Sequence, residues 1–302
     1  MSDHPPFVSV VVPSFNSIRT LASCLDALEA QSYPRERFEI ILADNGSTDG
    51  TAEFVADRYP RVRMLRAYEK GSGYARNTGM RAAAGEFLLS TDSDCVVNPD
   101  WIAVMVEEFQ KAAPTVAAIG GPIVPYSEKT PVEQYSEAWV SQPDLASPDL
   151  KVRYTATPNA AFRPHAFRQV GGFDGKLGFD DTDLGIRLGE AGYTVGFTPR
   201  AIVRHRNPEN WKQLYQHKVK YGQFSFDLAV KYPALLGDPS GKSSLNRLFL
   251  ETTWRIAKDL VKLPFSLIPR PGKPRGWPLI DIAIAWGNYK GYRMASRRTL
   301  KS

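Results

Sequence analysis

The sequence has little cysteine and no long apolar run. Only two of its 302 residues are cysteines, Cys24 and Cys95, and their spacing matches neither a disulfide framework nor a metal-binding motif. We expect both to be unreactive core thiols in a reducing compartment. No stretch approaches the roughly 18 apolar residues of a membrane-spanning helix, and the first residues lack the basic and apolar segments of a signal peptide. These absences predict a cytoplasmic protein.

Acidic residues are scarce in the last third of the chain. Residues 200–302 hold 20 Lys and Arg but only 6 Asp and Glu, a net charge of +14, whereas residues 1–199 carry −8. This asymmetry suggests an anionic partner for the last third, either a membrane surface or nucleic acid. No recognisable nucleic-acid-binding module accompanies the basic residues, so we expect no nucleic-acid partner.

Apolar runs and helical periods alternate along the first two thirds of the chain. Strands are predicted at residues 7–12, 38–43, 62–65, 86–90 and 116–119. Intervening helices are predicted at residues 19–31, 51–58, 74–83 and 101–111. This alternation favours an α/β fold with a doubly wound, mostly parallel sheet flanked by helices.

Shorter elements are predicted after residue 120. They are a helix at 131–139, a loop around Pro143 and Pro148, a strand-like segment at 157–163, helices at 165–170 and 182–191, and strands at 193–197 and 201–203. Beyond residue 210 the pattern becomes helical, with proline interruptions. We therefore expect a domain of residues 1–210 followed by a helical extension of residues 211–302.

The fourth predicted strand ends in two aspartates, Asp92 and Asp94, one residue apart. At the carboxyl end of a buried parallel strand they would lie where open α/β sheets bind ligands. Alternate side chains of an extended chain point the same way, so the two carboxylates can converge. Such hard oxygen ligands suit Mg²⁺ or Mn²⁺ bridging to a diphosphate. A solvated turn or a helix N-cap is the alternative interpretation of an isolated acidic pair.

Four motifs occur in a fixed order along the chain. They are VPSFN at residues 12–16, DNGSTD at 44–49, DSD at 92–94, and GGFD, GFDDTDL and VRH between residues 171 and 205. Together they closely resemble the family 2 glycosyltransferases, which are inverting enzymes with the GT-A fold. The resemblance implies a metal-dependent enzyme that moves a sugar from a nucleoside diphosphate, with UDP favoured, to a hydroxyl acceptor.

The resemblance also implies roles for residues around the nucleotide. Pro13 and Phe15 would line the base pocket, and Asp44 would accept a hydrogen bond from the ring N–H of uracil. Arg76 would lie near the nucleotide, and Asp92 would contact the ribose or the metal ion. The alternatives are ordinary turn chemistry for Asp44 and an ion pair with a nearby acid for Arg76.

Further implied roles concern the metal ion and the proton transfer. Asp94 would ligate Mn²⁺ or Mg²⁺, with His205 as a further ligand, and Asp181 would be the catalytic base. At the start of a predicted helix, Asp181 is expected to be kept ionised by the helix dipole. Asp180 would bind substrate, although many relatives have Glu at this position and the shorter side chain leaves its role open. Helix capping is the alternative for Asp180, Asp181 and Asp183, and a satisfied histidine is the alternative for His205.

The last third lacks the Q-x-x-R-W motif and the membrane spans of processive polysaccharide synthases, so we expect one or a few sugars to be added per encounter. Residues 245–263 follow a helical period, with basic residues beside the apolar ones, and residues 277–286 are apolar and aromatic. The proline-rich connector 264–275 predicts a hinge or loop. These segments suit peripheral contact with an anionic membrane at the cytoplasmic face. The alternatives are packing on the catalytic domain and a homodimer.

Two other functions are alternatives to this assignment. A catalytically silent GT-A scaffold in a glycan assembly complex would not need to retain Asp92, Asp94 and Asp181. A sugar nucleotidyltransferase would need a glycine-rich triphosphate loop where the chain has residues 13–16. We therefore expect a glycosyltransferase that acts on a lipid-linked or growing surface glycan.

Overall fold

The computed structural model describes residues 4–127, 129–136, 152–239, 242–262 and 277–299. The chain divides into two compact units, one of residues 1–126, 140–176 and 180–206 and the other of residues 127–139, 177–179 and 207–302. The predicted loop near Pro143 and Pro148, the end of the helix predicted at 131–139 and the connector 264–275 lie outside the described residues. The domain boundary at residue 210 stays a prediction.

Within its described residues, the first unit forms a seven-stranded sheet. In spatial order the strands are β3 (Arg63–Arg66), β2 (Phe38–Asp44), β1 (Val8–Ser14), β4 (Phe87–Ser90), β8 (Ala160–Phe162), β6 (Val116–Gly120) and β9 (Thr194–Phe197). The strands β1 to β4 run parallel to one another, as do β6 and β9, whereas β8 is antiparallel to both neighbours. The prediction of a mostly parallel sheet is confirmed.

Helices connect these strands. In the first unit they are α1 (Ile18–Glu29), α2 (Thr51–Arg58), α3 (Ser72–Ala82), α4 (Trp101–Lys111), α6 (Pro164–Gln169) and α7 (Asp180–Glu190), with 3₁₀ turns at Arg35–Arg37 and Thr157–Asn159. The bounds of α2 and α4 agree with the prediction, and the other four helices begin and end within two residues of it.

The side chains of β1 divide between two hydrophobic clusters. Val8, Val10 and Val12 belong to one cluster and Val11 to the other. Every residue of β1 is buried, as expected for a parallel strand with helices over both faces. Helix α3 packs closely on this strand because residue 79 is Gly, and a Cβ there would collide with Val11.

The register of the central strands brings three motifs to one edge of the sheet. Ser14 at the end of β1 lies opposite Asp44 at the end of β2, and Val11 lies opposite Ser90 at the end of β4. Because these strands are parallel, the loops that follow them leave the sheet on the same side. The edge therefore collects the loops that contain Phe15, Asn45 and Asp92.

The described part of the first unit also holds a second sheet, which was not predicted as such. Its three strands are β5 (Cys95–Val97), β10 (Val203–His205) and β7 (Ile123–Pro125). The strand predicted at residues 201–203 was placed wrongly, since β10 begins at Val203. Strands of three residues are too short for an alternating pattern to be recognised. The antiparallel pairing of β5 with β10 puts His205 opposite Cys95, next to the loop that carries Asp94.

The second unit is helical in its described residues. It contains α5 (Pro131–Ser136), α8 (Trp211–Lys231), α9 (Pro233–Leu236), α10 (Lys242–Lys262) and α11 (Trp277–Thr299). The backbones of α8 and α11 approach closely because residues 222 and 291 are Gly, and a Cβ at either position would collide with the carbonyl of Asn288 or Val219. Helix α10 packs against α11. None of the helices described here has the length and apolar character needed to cross a bilayer.

Candidate active site

A cavity of about 490 Å³ lies at the edge where β1, β2 and β4 end. This volume falls within the range that binds small molecules. Five residues singled out from the sequence line it, namely Pro13, Phe15, Arg76, Asp92 and Asp94. The ring of Phe15 is 54% exposed, so one apolar surface of the cavity is open to a ligand.

Hydrogen bonds join the loop after β1 to the loop after β2. Asn16, which adopts a left-handed conformation with φ of 51°, donates its backbone N–H to Ser47 Oγ at 2.8 Å. In return, the backbone N–H of Thr48 donates to Asn16 Oδ1 at 2.9 Å. The carboxylate of Asp49 then accepts the backbone N–H of Ile18 at the start of α1, at 3.1 Å. These bonds hold the loop that presents Phe15.

The carboxylate of Asp44 is bonded to its own loop. Its Oδ2 accepts the backbone N–H groups of Gly46 and Ser47, both at 3.1 Å, and its Oδ1 accepts the Ser47 hydroxyl at 2.5 Å. The turn chemistry weighed as the alternative for Asp44 is therefore present. The Ser47 backbone N–H also reaches Oδ1, at 3.4 Å, so the acceptor positions of this carboxylate are largely engaged within the loop. Asp44 is not one of the residues that line the cavity, whereas its neighbour Asn45 is.

Two residues of the cavity, Asn45 and Lys70, were missed by the sequence analysis. The amide of Asn45 donates to the carbonyls of Ala67 at 3.1 Å and Glu69 at 2.7 Å, and accepts the N–H of Gly71 at 2.8 Å. It thereby fixes the segment between β3 and α3, where Lys70 lines the cavity. An Asn–Gly pair is so typical of turns that the sequence signal for Asn45 was interpreted only as a turn.

Arg76 joins the two acidic motifs. Its Nη2 donates to Asp92 Oδ1 at 2.7 Å, and its Nη1 pairs with Asp180 Oδ2 at 3.5 Å. Arg76 is only 5% exposed and Asp180 only 3%. The ion pair weighed as the alternative for Arg76 is therefore present, and it links the loop after β4 to the start of α7.

Burial and pairing shift the ionisation of this bridge. Burial acts to lower the pKa of Arg76, but the carboxylates of Asp92 and Asp180 more than offset this, so its pKa lies above the usual range. Burial raises the pKa of Asp180 to about 7, although Arg76 opposes the shift. The bridge therefore holds a permanent cation, Arg76, next to an Asp180 carboxyl group that can take up a proton.

Gly73 permits the approach of Asp180 to Arg76. A Cβ at residue 73 would lie 2.5 Å from Asp180 Oδ2 and 3.0 Å from the Cα of Gly175. The first turn of α3 therefore accepts only Gly at this position without displacing the buried carboxylate.

A second group of side chains forms a candidate metal site. The ligand atoms of Asp94, Cys95 and His205 all lie within 4.8 Å of one another. Asp94 Oδ1 and His205 Nε2 are 3.7 Å apart, too far for a hydrogen bond and suitable for two ligands of one ion. A carboxylate and an imidazole suit Mn²⁺. Asp92, also a predicted ligand, is not part of this cluster, and its Oδ1 accepts a hydrogen bond from Arg76.

Cys95 was expected to be an unreactive core residue, and both cysteines are indeed buried. Burial raises the pKa of the thiol of Cys24, and burial together with the charge of Asp94 raises that of Cys95. The proximity of the Cys95 thiol to Asp94 and His205 was not predicted, since it depends on the pairing of β5 with β10.

Asp181 lies in the first turn of α7, as predicted. Its Oδ1 accepts the Thr182 backbone N–H at 2.7 Å and the Thr182 hydroxyl at 3.3 Å, and the backbone of Thr157 also bonds to its carboxylate. Burial raises the pKa of Asp181 and so opposes the helix dipole, and the ionised state expected for this residue stays a prediction. Tyr154, which the sequence analysis did not single out, lies near enough for the charge of Asp181 to add to burial in raising its pKa.

Asp183 has a local structural role. Its buried carboxylate pairs with Arg187 one turn later, with Oδ2 at 2.5 Å from Nη2. Arg187 also donates to the carbonyl of Val170 at the end of α6, at 2.5 Å. Asp183 therefore helps to fix α7 to α6.

The model of glycosyl transferase family 2 matches residues 9–171, which is more than half of the chain. This chain belongs to glycosyl transferase family 2. The family relationship suggested by the four motifs is thereby confirmed, and the protein is a glycosyltransferase.

Sequence relatives of this glycosyltransferase come from archaea and bacteria. Glycosyltransferase AglE of Haloferax volcanii is 28% identical over 275 residues, which cover 88% of this chain and 86% of that protein. Pre-mycofactocin glycosyltransferase of Mycobacterium tuberculosis is 30% identical over 75% of this chain and 48% of its own length. Probable glycosyltransferase YdaM of Bacillus subtilis is 26% identical, and 57% of its length is covered. The chain thus spans most of the first relative and about half of the other two.

Solved structures confirm the GT-A fold of this glycosyltransferase. Mannosyltransferase PcManGT from Pyrobaculum calidifontis, in complex with GDP-Man and Mn²⁺, has a TM-score of 0.64 at 22% identity, with 96% of this chain and 88% of that chain covered. S. aureus TarS 1–349 in complex with UDP has a TM-score of 0.53 at 16% identity, covering 98% of this chain and 91% of that one.

Proposed function

We propose that this glycosyltransferase is an inverting, metal-dependent enzyme that moves a sugar from a UDP-sugar to a hydroxyl group of a lipid-linked or surface glycan. The observation that carries the proposal is the Arg76 bridge. One buried guanidinium holds Asp92, beside the candidate metal ligand Asp94, and Asp180, beside the candidate base Asp181. The bridge thus links the loop that carries Asp94, the candidate metal ligand, to the start of α7, which carries Asp181, the candidate base.

The cavity supports binding of a nucleoside diphosphate. The exposed ring of Phe15 offers a surface on which a base can stack, and Pro13 lies next to it in the wall. We assign the recognition of uracil to Asp44, which directly precedes the cavity residue Asn45. In the walls described here, Ser14 Oγ and Arg76 Nε are buried without a hydrogen-bond partner, as expected where a polar ligand completes the site.

Positive charge is needed to stabilise a bound diphosphate. Arg76 is already paired with Asp92 and Asp180, whereas Lys70 is exposed in the wall of the cavity. We therefore assign a phosphate contact to Lys70. A divalent ion held by Asp94 and His205 would supply a Lewis acid that neutralises charge on the leaving diphosphate.

Asp181 is the candidate general base. It would take the proton of the acceptor hydroxyl while the acceptor oxygen bonds to the anomeric carbon. The bond from that carbon to the diphosphate breaks in the same displacement, so UDP leaves and the anomeric configuration inverts. The bonds from Thr182 and Thr157 fix the orientation of the Asp181 carboxylate. Asp180 would act through Arg76 as a positioning residue.

The acceptor class depends on the basic last third of the chain. Residues 200–302 carry a net charge of +14, which suits contact with the anionic cytoplasmic face of a membrane. A lipid-linked glycan would be available at that surface. A homodimer remains the competing explanation for the C-terminal helices, and the oligomeric state distinguishes the two.

Calorimetric titration tests the donor site. UDP, GDP and dTDP are each titrated, with and without Mn²⁺, into the wild-type protein and into Asp94→Ala and Asp57→Asn variants. We expect metal-dependent UDP binding that Asp94→Ala loses and that Asp57→Asn, an exposed position on α2, retains. Preference for GDP or dTDP would contradict the role of Asp44. Failure of every nucleotide to bind a folded protein would favour the silent scaffold.

The stereochemical proposal needs a separate measurement. UDP-sugars that bind are incubated with a soluble glycan acceptor, and the anomeric configuration of the product is determined by NMR. A β-linked product from an α-linked donor supports a single displacement with Asp181 as base. Retention of configuration would contradict it.

A further inference from the structure

We propose that the exposed side of α10 is a membrane-binding surface specific for anionic lipid. The proposal deepens the function proposed above and rests on it for the lipid-linked acceptor. We define the α10 apolar face by the following side chains: Phe249, Leu250, Trp254, Leu260 and Val261.

These side chains are unusually exposed for their size. Leu250 is 66% exposed, Trp254 62% and Val261 71%. Spacings of four and seven residues put all three on one side of a helix. The opposite side of α10, which includes Thr252 and Asp259, is buried. Helix α10 is therefore buried on a side that includes polar residues, while three large apolar side chains are left exposed on the opposite side.

The apolar face continues onto α11. Phe249 lies 5.6 Å from Tyr289, measured between ring centroids, and Tyr289 lies 5.5 Å from Trp286. Trp286 is itself 44% exposed. The outer surface thus carries two exposed tryptophans on adjacent helices. Tryptophan is favoured at the boundary between lipid headgroups and acyl chains, because its ring is apolar and its N–H can still bond to water.

Basic side chains border the α10 apolar face. Helix α10 contains five Lys and Arg against two acidic residues, and α11 contains four against one. The exposed Arg255 directly follows Trp254, and the exposed Lys258 lies one helical turn after Trp254, with its Nζ 4.1 Å from the Trp254 ring centroid. Such side chains can keep their charge at headgroup level while their stems cover apolar surface. The border therefore matches an anionic headgroup layer.

The same charge argues against a second copy as the occupant. A two-fold interface through α10 would place the patch against itself, so Arg255 and Lys258 would approach the same cations of the other copy. The acidic residues of α10 do not relieve this repulsion. Glu251 pairs with Arg247 at 3.7 Å, and Asp259 pairs with Lys262 at 2.9 Å. An anionic partner relieves it directly.

Vesicle flotation with the full chain tests the proposal. The probes are vesicles of phosphatidylcholine alone and of phosphatidylcholine mixed with phosphatidylglycerol. One variant combines Leu250→Ser, Trp254→Ser and Val261→Ser. Its control combines Met64→Ser, Val230→Ser and Leu236→Ser, which remove three exposed apolar side chains outside α10. A charge variant combines Arg255→Glu and Lys258→Glu, and its control combines Lys212→Glu and Lys220→Glu on α8.

We expect the wild type and both controls to bind the anionic vesicles, and the apolar and charge variants to bind them at least about tenfold more weakly. Circular dichroism confirms that each variant is folded. Absence of wild-type binding to anionic vesicles overturns the proposal, as does equal loss in the Lys212 and Lys220 control, which would indicate general charge attraction. A dimer that becomes a monomer in the apolar variant, without vesicle binding, would identify a second copy as the occupant.

Nucleotide titration of the same variants separates this proposal from the function on which it rests. If the proposed function fails, UDP does not bind the wild type while vesicle binding persists. If the membrane surface fails, UDP binding is intact and the vesicles are not bound.

Discussion

Two acidic pairs in the first unit differ in backbone setting yet divide their tasks in the same way. Asp92 and Asp94 follow strand β4, whereas Asp180 and Asp181 open helix α7. In each pair one carboxylate is held by Arg76, namely Asp92 or Asp180. The other carboxylate of each pair has different neighbours: Asp94 lies 3.7 Å from His205, and Asp181 accepts the backbone N–H of Thr182.

The two carboxylates of one acidic motif therefore need not serve the same purpose. In each pair, one carboxylate bonds to Arg76 and stabilises the bridge. The other is the candidate to bind a metal ion or to accept a proton. The following substitutions test the Arg76 bridge and the remaining site residues separately.

The largest effect is expected from Asp181→Asn. Removal of a general base reduces kcat by about 10³-fold, because the acceptor hydroxyl then lacks a proton acceptor in the transition state. Steady-state kinetics with the UDP-sugar found to bind provide the measurement, and calorimetry should show unchanged UDP binding. Asp57→Asn serves as the matched control with full activity. Activity of Asp181→Asn within a factor of about three of wild type would contradict the assignment.

The next effect concerns stability. Arg76→Gln leaves the buried carboxylate of Asp180 without its cation and should lower the free energy of unfolding by about 3 kcal/mol. Urea denaturation measures the change. Arg58→Gln breaks a pair with Asp26 in which both side chains are about half exposed, so it should cost less than about 1 kcal/mol. Equal losses in the two variants would show that the bridge adds nothing beyond a surface ion pair.

A smaller effect is expected from His205→Gln. Loss of one ligand should weaken Mn²⁺-dependent UDP binding by about tenfold, since Asp94 remains. Titration of Mn²⁺ in the presence of UDP provides the measurement, with the exposed His165→Gln as its control. Unchanged affinity in His205→Gln would exclude His205 as a ligand.

The last effect, a gradual one, is the pH dependence of stability. The pKa of Asp180 is raised from 3.8 to about 7, so between these values the folded protein holds a proton that the unfolded chain has released. The stabilisation is complete below this window, and the free energy of unfolding falls as pH rises through it, by at most about 1.4 kcal/mol per pH unit. Urea denaturation across the window should show a shallower slope in Asp180→Asn. Stability that rises with pH in the wild type and not in this variant would contradict the shift.

Much of the first unit could be predicted because its strands and helices carry strong local patterns. The buried run of β1 and the period of α4 are each long enough to indicate one structure. The four motifs also indicated the family, and Phe15, Asp92 and Asp94 do line one cavity.

Features that depend on distant pairing could not be predicted. The position of His205 beside Cys95 follows from the pairing of β5 with β10, residues that are more than 100 positions apart. The ionisation of Asp181 was predicted from its place on a helix, but burial by surrounding elements has the opposite effect. The exposed side of α10 also differs from the helical period, since Phe249 and Leu260 belong to the period and face outward.

Because both cysteines are buried, the reactivity of their thiols reports local opening of the structure around them. Cys24 donates its thiol to the carbonyl of Asp92 at 3.4 Å, and Cys95 lies beside Asp94, so both thiols lie against the loop that carries the acidic pair. Because the chain has no other cysteine, the rate of alkylation by a thiol reagent measures how often this one loop opens. Any ligand that closes the loop would slow that reaction, without a label, a tag or an engineered residue.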